Sequence, residues 1–341
     1  MNRPTIHDVA REAQVSLATV DRVLNNRGGV AAKSVHKVQE AIAKTGYVRD
    51  QIAANLSRGR GYRFTFLLPA GQSSFVKNLI GSIDLESIRV RKHRTIVDVR
   101  SSKTFDPAAQ VAALRRIDPS QTDCAAVMVA DVPQVRAELM RLRDAGVRVL
   151  SLVSDMSEGC RDVYIGPDNE TAGRMAGSFL GRFIRNPTGP VLAIAGSLAA
   201  RDHAQRLLGF RQVLQADYPA LKLLPVVEGF DDPRRIAAIA RQAMAEAPLM
   251  GIYAIGAGNA GLLTALAEEN SAFRPVAILH ELTDTTRQGL RDGLFDLVID
   301  QDPSRAVTRA MTLMRELADG QAVSPDRGNI PLNIFIRENV Q

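Results

Sequence analysis

The chain has 341 residues, of which 45% are hydrophobic and 23% charged. That length fits two or three folded units of about 100–200 residues each, and the composition excludes a disordered or fibrous chain. No stretch approaches the ~18 consecutive apolar residues of a membrane span, so no membrane partner is expected.

The net charge of +6 is unevenly placed. Residues 1–61 hold 10 Lys and Arg against 5 Asp and Glu, which leaves 33 against 32 for the remaining 280 residues. A small basic head on a near-neutral body points to a polyanion partner for the head and a neutral ligand for the body. The stretch from Asn2 to Thr5 is polar, with no apolar secretory segment, so a cytoplasmic location is expected. Cys124 and Cys160 fit no metal or redox spacing and read as structural thiols.

In chain order, Thr5-Ile6-His7-Asp8 has the capping-box pattern that starts a helix. Ile6, Val9, Ala10 and Ala13 then form one apolar stripe. Ser16 is a good N-cap for a second helix with Val20, Val23 and Leu24 inward. A third helix runs from about Lys33 to Lys44, with Val35, Val38, Ala41 and Ile42 inward, and Gly46 ends it. Two short helices joined by a turn, with a third behind them, make a helix-turn-helix layout. The second helix turns Leu17, Ala18, Asp21, Arg22 and Asn25 outward. Arg22 suits guanine O6/N7, and Asn25 suits a phosphate or a base. By periodicity alone, the same face could equally be a solvated surface.

The motif T-x-x-D-V-A-x-x-A-x-V-S-x-x-T-V-x-R-V-L-N, Thr5 to Asn25, is similar to the N-terminal signature of the LacI/GalR family of transcriptional regulators. The match continues through Val30, Lys33, Val38, Ala41, Gly46 and Tyr47. The resemblance implies a small all-α DNA-binding domain at 1–49. Leu17, Ala18 and Arg22 would face base edges, Ser16, Thr19 and Asn25 would hold phosphates, and Thr5 belongs to the same DNA-contacting set. Two positions depart from the pattern. Gln14 stands where Gly is usual, although Gln tolerates positive φ less well. Asp21 stands where Ser is usual and would repel a phosphate. It could accept from a cytosine amine or hold Arg22 or Lys33, which would narrow the choice of operator.

Residues 50–61 contain helix formers over about two turns, a length marginal in water, followed by Gly59 and Gly61. They resemble the family's hinge helix, which orders on DNA. Asn55 would join the DNA contacts and Leu56 would be the wedge that kinks the minor groove. A plain basic linker is the other reading.

From Arg63 onward, apolar strand-like runs alternate with helical stretches. The runs are Phe64–Leu68, Thr95–Val99, Ala125–Val129, Val147–Val153, Val191–Ala195, Gly251–Ile255, Val276–Leu279 and Leu297–Ile299. The helical stretches include Pro133–Ala145, Thr171–Ile184, Pro233–Ala247, Gly261–Glu269 and Arg305–Asp319. This alternation predicts an α/β body of parallel sheets covered on both faces, with ligands at the strands' carboxyl ends.

Gly256-Ala257-Gly258-Asn259-Ala260-Gly261 is a literal G-x-G-x-x-G between a strand and a helix, with Glu281 20 residues on. It raises the alternative of an NAD-binding redox sensor or oxidoreductase. The motif sits far from the first strand–helix unit, which argues against that alternative, and no cofactor is expected. The five histidines show no metal spacing, and neither G-x-S-x-G nor H-E-x-x-H occurs, so neither a metal site nor an enzyme is expected. Asp231-Asp232 before Pro233 reads as helix capping.

The body resembles the same family's effector core, a two-lobed type I fold similar to periplasmic sugar-binding proteins. The resemblance rests on Gly166-Pro167-Asp168-Asn169 before Ala172-Gly173, Arg206-x-x-Gly209-Phe210, Gly256–Asn259, His280-Glu281-Leu282-Thr283 and Asp300-Gln301-Asp302-Pro303. It implies one lobe at about 62–164 and 296–325, a second at about 165–295 and 326–341, and an effector between them. The implied effector residues are Phe75, Ser154, Asp155, Arg206, Asn259, His280 and Gln301. Asn259 and His280 replace acids usual at those places, so a standard hexose is in doubt; Asp168 and Asn169 read as a helix cap. Planar amide, carboxylate and guanidinium groups beside an aromatic plate suit sugar hydroxyls. The implied partners are a small sugar- or polyol-like effector, near-palindromic double-stranded operator DNA and a second copy of the chain. With no heptad repeat before Gln341, a homodimer is expected over a tail-linked tetramer.

Overall fold

The computed structural model describes residues 4–24, 29–47, 61–71, 73–269 and 274–340. The expected hinge helix, with Asn55 and Leu56, and the recognition-helix residue Asn25 lie outside the described residues. The chain forms two compact units, residues 1–61 and 62–341.

The head is three helices, α1 (Ile6–Ala13), α2 (Leu17–Leu24) and α3 (Ala32–Thr45). Asp8 Oδ2 accepts from both Thr5 N (2.8 Å) and Thr5 Oγ1 (2.7 Å), so the expected cap forms through the carboxylate. Those bonds hold the Asp8 carboxyl below its ordinary range. Ser16 Oγ accepts from Thr19 N at 3.1 Å and starts α2. Val9, Ala10, Ala13, Val20, Val38 and Ala41 are buried together as the head's core.

The turn between α1 and α2 puts Gln14 at φ 53°, ψ 45°. A left-handed backbone costs a non-glycine residue about 1–2 kcal/mol, more than the entropy glycine loses on folding at such a site. Gln14→Gly is therefore expected to raise the head's stability by about 0.5–1 kcal/mol. Chemical denaturation of the full chain, followed by a probe in the head, checks this; an unchanged or lower midpoint sinks it.

The core holds two parallel sheets. The first has order β2-β1-β3-β4-β5, with β1 Tyr62–Ala70, β2 Thr95–Lys103, β3 Cys124–Val127, β4 Arg148–Leu152 and β5 Val163–Ile165. Helices α4 (Ser74–Val90), α5 (Pro107–Arg115) and α6 (Pro133–Asp144) connect its first four strands. The second sheet has order β12-β11-β10-β9-β6-β7, and a short β8 also pairs with β6. Its elements run α7 (Asn169–Phe183), β6 (Gly189–Ala195), α8 (Arg201–Asp217), β7 (Leu221–Leu223), β8 (Val227–Glu228), α9 (Pro233–Glu246), β9 (Gly251–Ala254), α10 (Asn259–Glu268), β10 (Val276–His280), α11 (Asp284–Arg291) and β11 (Leu297–Asp300). The chain then forms α12 (Pro303–Ala318) and β12 (Asn333–Phe335), which is antiparallel to β11.

Strands such as Cys124–Val127 and Leu297–Asp300 are buried along their whole length because helices cover both faces of each sheet. Leu79, Ile83, Met311 and Met314 cover one face of the first sheet, and Leu114, Val135, Leu139 and Leu142 the other. Cys124 and Cys160 are buried free thiols, and burial raises both above the usual thiol range.

The lobe boundaries differ from expectation at two places, one of them 326–330, expected in the second lobe although Ile330 packs in the first lobe's core. Residues 296–300 were expected in the first lobe, but Ile278, Leu279 and His280 pair with Leu297, Val298 and Ile299 in the second sheet. The chain crosses back only at Gln301-Asp302, so that α12 packs on the first lobe. A further crossing is clamped by Gly166 N to Gly328 O (3.1 Å) and Ile330 N to Gly166 O (3.0 Å).

Candidate functional site

In the head, Leu17, Ala18 and Arg22 are exposed on α2, as base-reading positions must be, and Ser16 and Thr19 stand at its first turn. Asp21 is half-buried on the same helix. These side chains stand on a face whose opposite side, through Val20, is sealed into the core. The helix can therefore present polar groups without losing its packing.

In the core, a cavity of about 320 Å³ opens where the carboxyl ends of both sheets face each other. Phe75, Ser154, Arg206, Asn259 and Gln301 line it, joined by Phe105, Gln110, Asp202, His203, Phe230, Asp231 and Glu281. The lobes touch across its mouth. Phe105 of the first lobe meets Phe230 edge-on at 6.3 Å and His203 at 6.2 Å, and Asp131 accepts from Arg201 Nη1 at 2.9 Å.

Five lining residues, Phe105 (φ 54°), Val153 (φ 67°), Phe230 (φ 53°), Asp231 (φ 56°) and Glu281 (φ 74°), hold the left-handed backbone. For the β-branched Val153 this is a marked outlier. Such strain persists only where surrounding structure over-determines it, and it concentrates at binding sites.

Arg206, 2% exposed, is the cation at the centre. Its Nε donates to Asn169 Oδ1 (2.8 Å) and its Nη1 to Ile255 O (3.0 Å). Asn169 Nδ2 in turn donates to Tyr164 Oη at 3.1 Å, while Asp168 Oδ1 caps α7 by accepting from Thr171 N at 2.9 Å. Asn259 Nδ2 donates to His280 O at 3.1 Å, and Gln301 Nε2 donates to Glu281 Oε1 at 2.5 Å. Those bonds use the nitrogens of both amides and leave their oxygens over. Asn259 Oδ1, Gln301 Oε1 and Glu281 Oε2 are buried and have no protein partner. A buried unpaired acceptor costs about 1–3 kcal/mol, so the two amide oxygens favour a ligand with hydroxyl or N–H donors, and the Glu281 oxygen, when protonated, favours one that also accepts.

Burial pushes the Glu281 carboxyl up to about 8; Arg206 opposes the rise, and Asp300 and Asp202 add to it. Burial also raises Asp231. At Asp202, burial is outweighed by the facing His203 and Arg206 and by Ser154, so its carboxyl stays low. The folded value for Glu281 lies above its ordinary 4.5. Its contribution to stability is therefore full below pH 4.5 and is lost as pH rises through about 8. Glu281→Gln is expected to remove a decline of up to about 1.4 kcal/mol per pH unit inside that window. Parallel stability–pH curves for the two proteins would count against the assignment.

Two expected effector residues lie elsewhere. Asp155 is not among the cavity residues: its oxygens accept from Ser151 Oγ (2.9 Å), Met156 N (2.7 Å) and both Nε and Nη2 of Arg161. This half-buried carboxylate forms a structural ion pair with Arg161 instead. His280 is 1% exposed and its Nε2 bonds Tyr253 Oη at 2.8 Å. Burial, then Arg206 and His203, depress its pKa well below the usual histidine range, leaving a neutral core ring. The next residue, Glu281, lines the cavity instead, together with Asp202 and Asp231. Asp231 was expected as part of a helix cap; only Asp232 caps α9, while Asp231 turns inward.

The glycine-rich turn has packing reasons for its glycines. A Cβ at Gly256 would lie 2.8 Å from Asp231 Oδ1, and one at Gly261 would lie 1.9 Å from Pro233 O. Ala257 N donates to Asp231 Oδ1 at 2.9 Å. A carboxylate thus occupies the amide that a pyrophosphate would use, and this argues against a dinucleotide there.

Known proteins resemble both units. The lacI family of bacterial regulatory proteins matches residues 5–50, and the periplasmic binding protein domain matches residues 87–322. Catabolite control protein A of Staphylococcus aureus (strain MRSA252) is 24% identical over 210 residues, 62% of this chain and 61% of that protein. The chain thus spans about 61% of the length of this curated relative. The HTH-type transcriptional regulator RegA of Clostridium acetobutylicum is 40% identical over 105 residues, 30% of this chain and 31% of that protein. In fold, the chain is similar to an ABC transporter solute-binding protein from Burkholderia graminis C4D1M, solved in complex with D-arabinose. The TM-score is 0.73 at 21% identity, covering 82% of this chain and 96% of that one. The chain belongs to the periplasmic binding protein domain family, and its residues 5–50 match the lacI family of bacterial regulatory proteins.

Proposed function

We propose that this protein is a cytoplasmic, homodimeric transcriptional repressor that binds a near-palindromic operator through α2, controlled by a small sugar- or polyol-like effector held between the core lobes. The observation that carries the effector half is the set of buried, unpartnered oxygens of Asn259, Gln301 and Glu281 around Arg206. Hydroxyl groups both donate and accept, so one polyol can satisfy these oxygens and the guanidinium together. Because the lobes meet across the cavity mouth, a ligand that binds the closed arrangement better shifts the protein toward it. Relatives named as transcriptional regulators and a sugar-bound structural neighbour support this reading.

The test is a thermal-shift panel of sugars, polyols and NAD(H), followed by a DNA shift assay with the compounds that bind. A ligand at 100 times its Kd stabilises by about 2.7 kcal/mol. Stabilisation by NAD(H) and by no sugar or polyol would overturn the proposal. Arg22→Ala should weaken operator binding by about 1–3 kcal/mol, and Asp21→Ser should change the ranking of operator variants.

Dimerisation is supported by Leu85 (64% exposed) and Ile88 (65%) on α4 and Ile96 (63%) on the edge strand β2. Large apolar groups standing free on an edge strand and its neighbouring helix are a self-association surface. Ile88→Glu is expected to raise the dimer Kd at least about tenfold. Sedimentation showing an unchanged dimer would reject this face.

A further inference from the structure

We infer that the core itself carries a second DNA-backbone contact, made by Arg91, Lys92 and Arg94 at the amino end of the first sheet. This rests on reading the head as a DNA-binding unit. The segment Arg89-Val90-Arg91-Lys92-His93-Arg94 puts four Lys and Arg in six positions of a core that is otherwise almost charge-balanced. Arg89 is occupied by Glu86 at 2.5 Å. Arg91, Lys92 and Arg94 are exposed, and among the described residues none of the three side chains makes an ion pair.

The fold fixes where they stand. A short 3-10 turn, Arg91–His93, ends in Arg94 at φ 53°, and Arg94 O accepts from Tyr62 N at 3.0 Å. Tyr62 is the first residue of the core, so the three cations flank the point where the chain arrives from the head. The effector cavity lies at the other end of the nine-residue strand β1, about 26 Å away at ~3.3 Å per residue. These side chains therefore cannot serve the effector. A cluster of exposed cations without ion-pair partners, on a chain that also carries a DNA-reading head, fits a phosphodiester backbone. Such contacts add affinity without reading sequence.

The experiment measures binding of the full chain to a fluorescent random-sequence duplex across about 50–200 mM salt, where each phosphate contact contributes a slope of about 0.9. R91A/K92A/R94A is expected to lower the slope by about 2 or more per chain and to weaken binding at low salt about tenfold. R91K/R94K keeps the charge and should keep the slope. R211A/K222A/R234A removes three exposed cations of the second lobe and should leave the slope unchanged. A wild-type slope in the first variant, or an equal loss in the second-lobe control, overturns the inference. So does loss of binding to phosphatidylglycerol vesicles with DNA binding intact, which would assign the patch to a membrane surface. If the native chain binds no duplex at all, the reading of the head fails as well.

Discussion

Gly173→Ala should destabilise the second lobe by about 3 kcal/mol or more, while Gly81→Ala should stabilise the first by about 0.5–1 kcal/mol. Both are helix-interior glycines, and residue type alone would predict the same small gain, because alanine is the better helix former. Surroundings reverse the sign. A Cβ at Gly173 would lie 1.9 Å from the Arg206 carbonyl oxygen, and one at Gly209 would lie 2.0 Å from the Glu170 carbonyl oxygen. Helices α7 and α8 therefore meet backbone to backbone, and nothing flexible is available to yield. A methyl group must push α8 away, and Arg206 goes with it. Around Gly81 nothing lies within 4 Å, so a methyl group there only restricts the unfolded chain. Urea denaturation of both variants checks the pair of signs. A destabilisation below about 1 kcal/mol at Gly173 would show that the helix pair can slide.

That contrast marks what was legible in the sequence. Runs such as Val191–Ala195 and Val276–Leu279 announced themselves as buried parallel strands, because strands covered on both faces are apolar throughout. Capping by Thr5, Ser16 and Asp168 was legible because a cap is local chemistry. The site was legible only in part. Phe75, Ser154, Arg206, Asn259 and Gln301, expected to hold an effector, all line the cavity. His280 and Glu281 are neighbours, and choosing between them needs the direction of one side chain at a strand end. Glu281 has φ 74°, a backbone turn with no sequence signature in a non-glycine residue. The same holds for Phe105, Phe230 and Asp231. The available signal was weaker: polar or aromatic residues just beyond apolar strands, at the end of the sheet where ligands bind. The lobe boundary near 296–300 was misplaced because β11 pairs non-locally with β10, and register across a sheet is not written in either strand alone.

Arg206→Met should abolish the effector response, weakening binding at least about 100-fold, and should destabilise the protein by about 3–5 kcal/mol. Methionine replaces the length of the side chain, so little cavity opens; the loss is electrical and directional. Asn169 Oδ1 and Ile255 O each lose their donor, and each stranded acceptor costs about 1–3 kcal/mol. The carboxyls of Asp202, Asp231 and Glu281 lose the cation that lowers all three. Their folded values should therefore rise, and for Asp231 and Glu281, which already lie above their ordinary values, stability should be lost over a window reaching higher in pH than in the native protein. At pH values where Glu281 is protonated in both proteins, its share of the deficit vanishes. The difference in stability should therefore widen as pH rises through about 8. Arg206→Lys keeps the charge but not the planar fork. It should recover the pH behaviour while leaving the effector response impaired. Calorimetric titration with a compound that stabilises the native chain separates the two roles. If Arg206→Met binds that compound with native affinity, the guanidinium holds the lobe together and takes no part in reading the ligand.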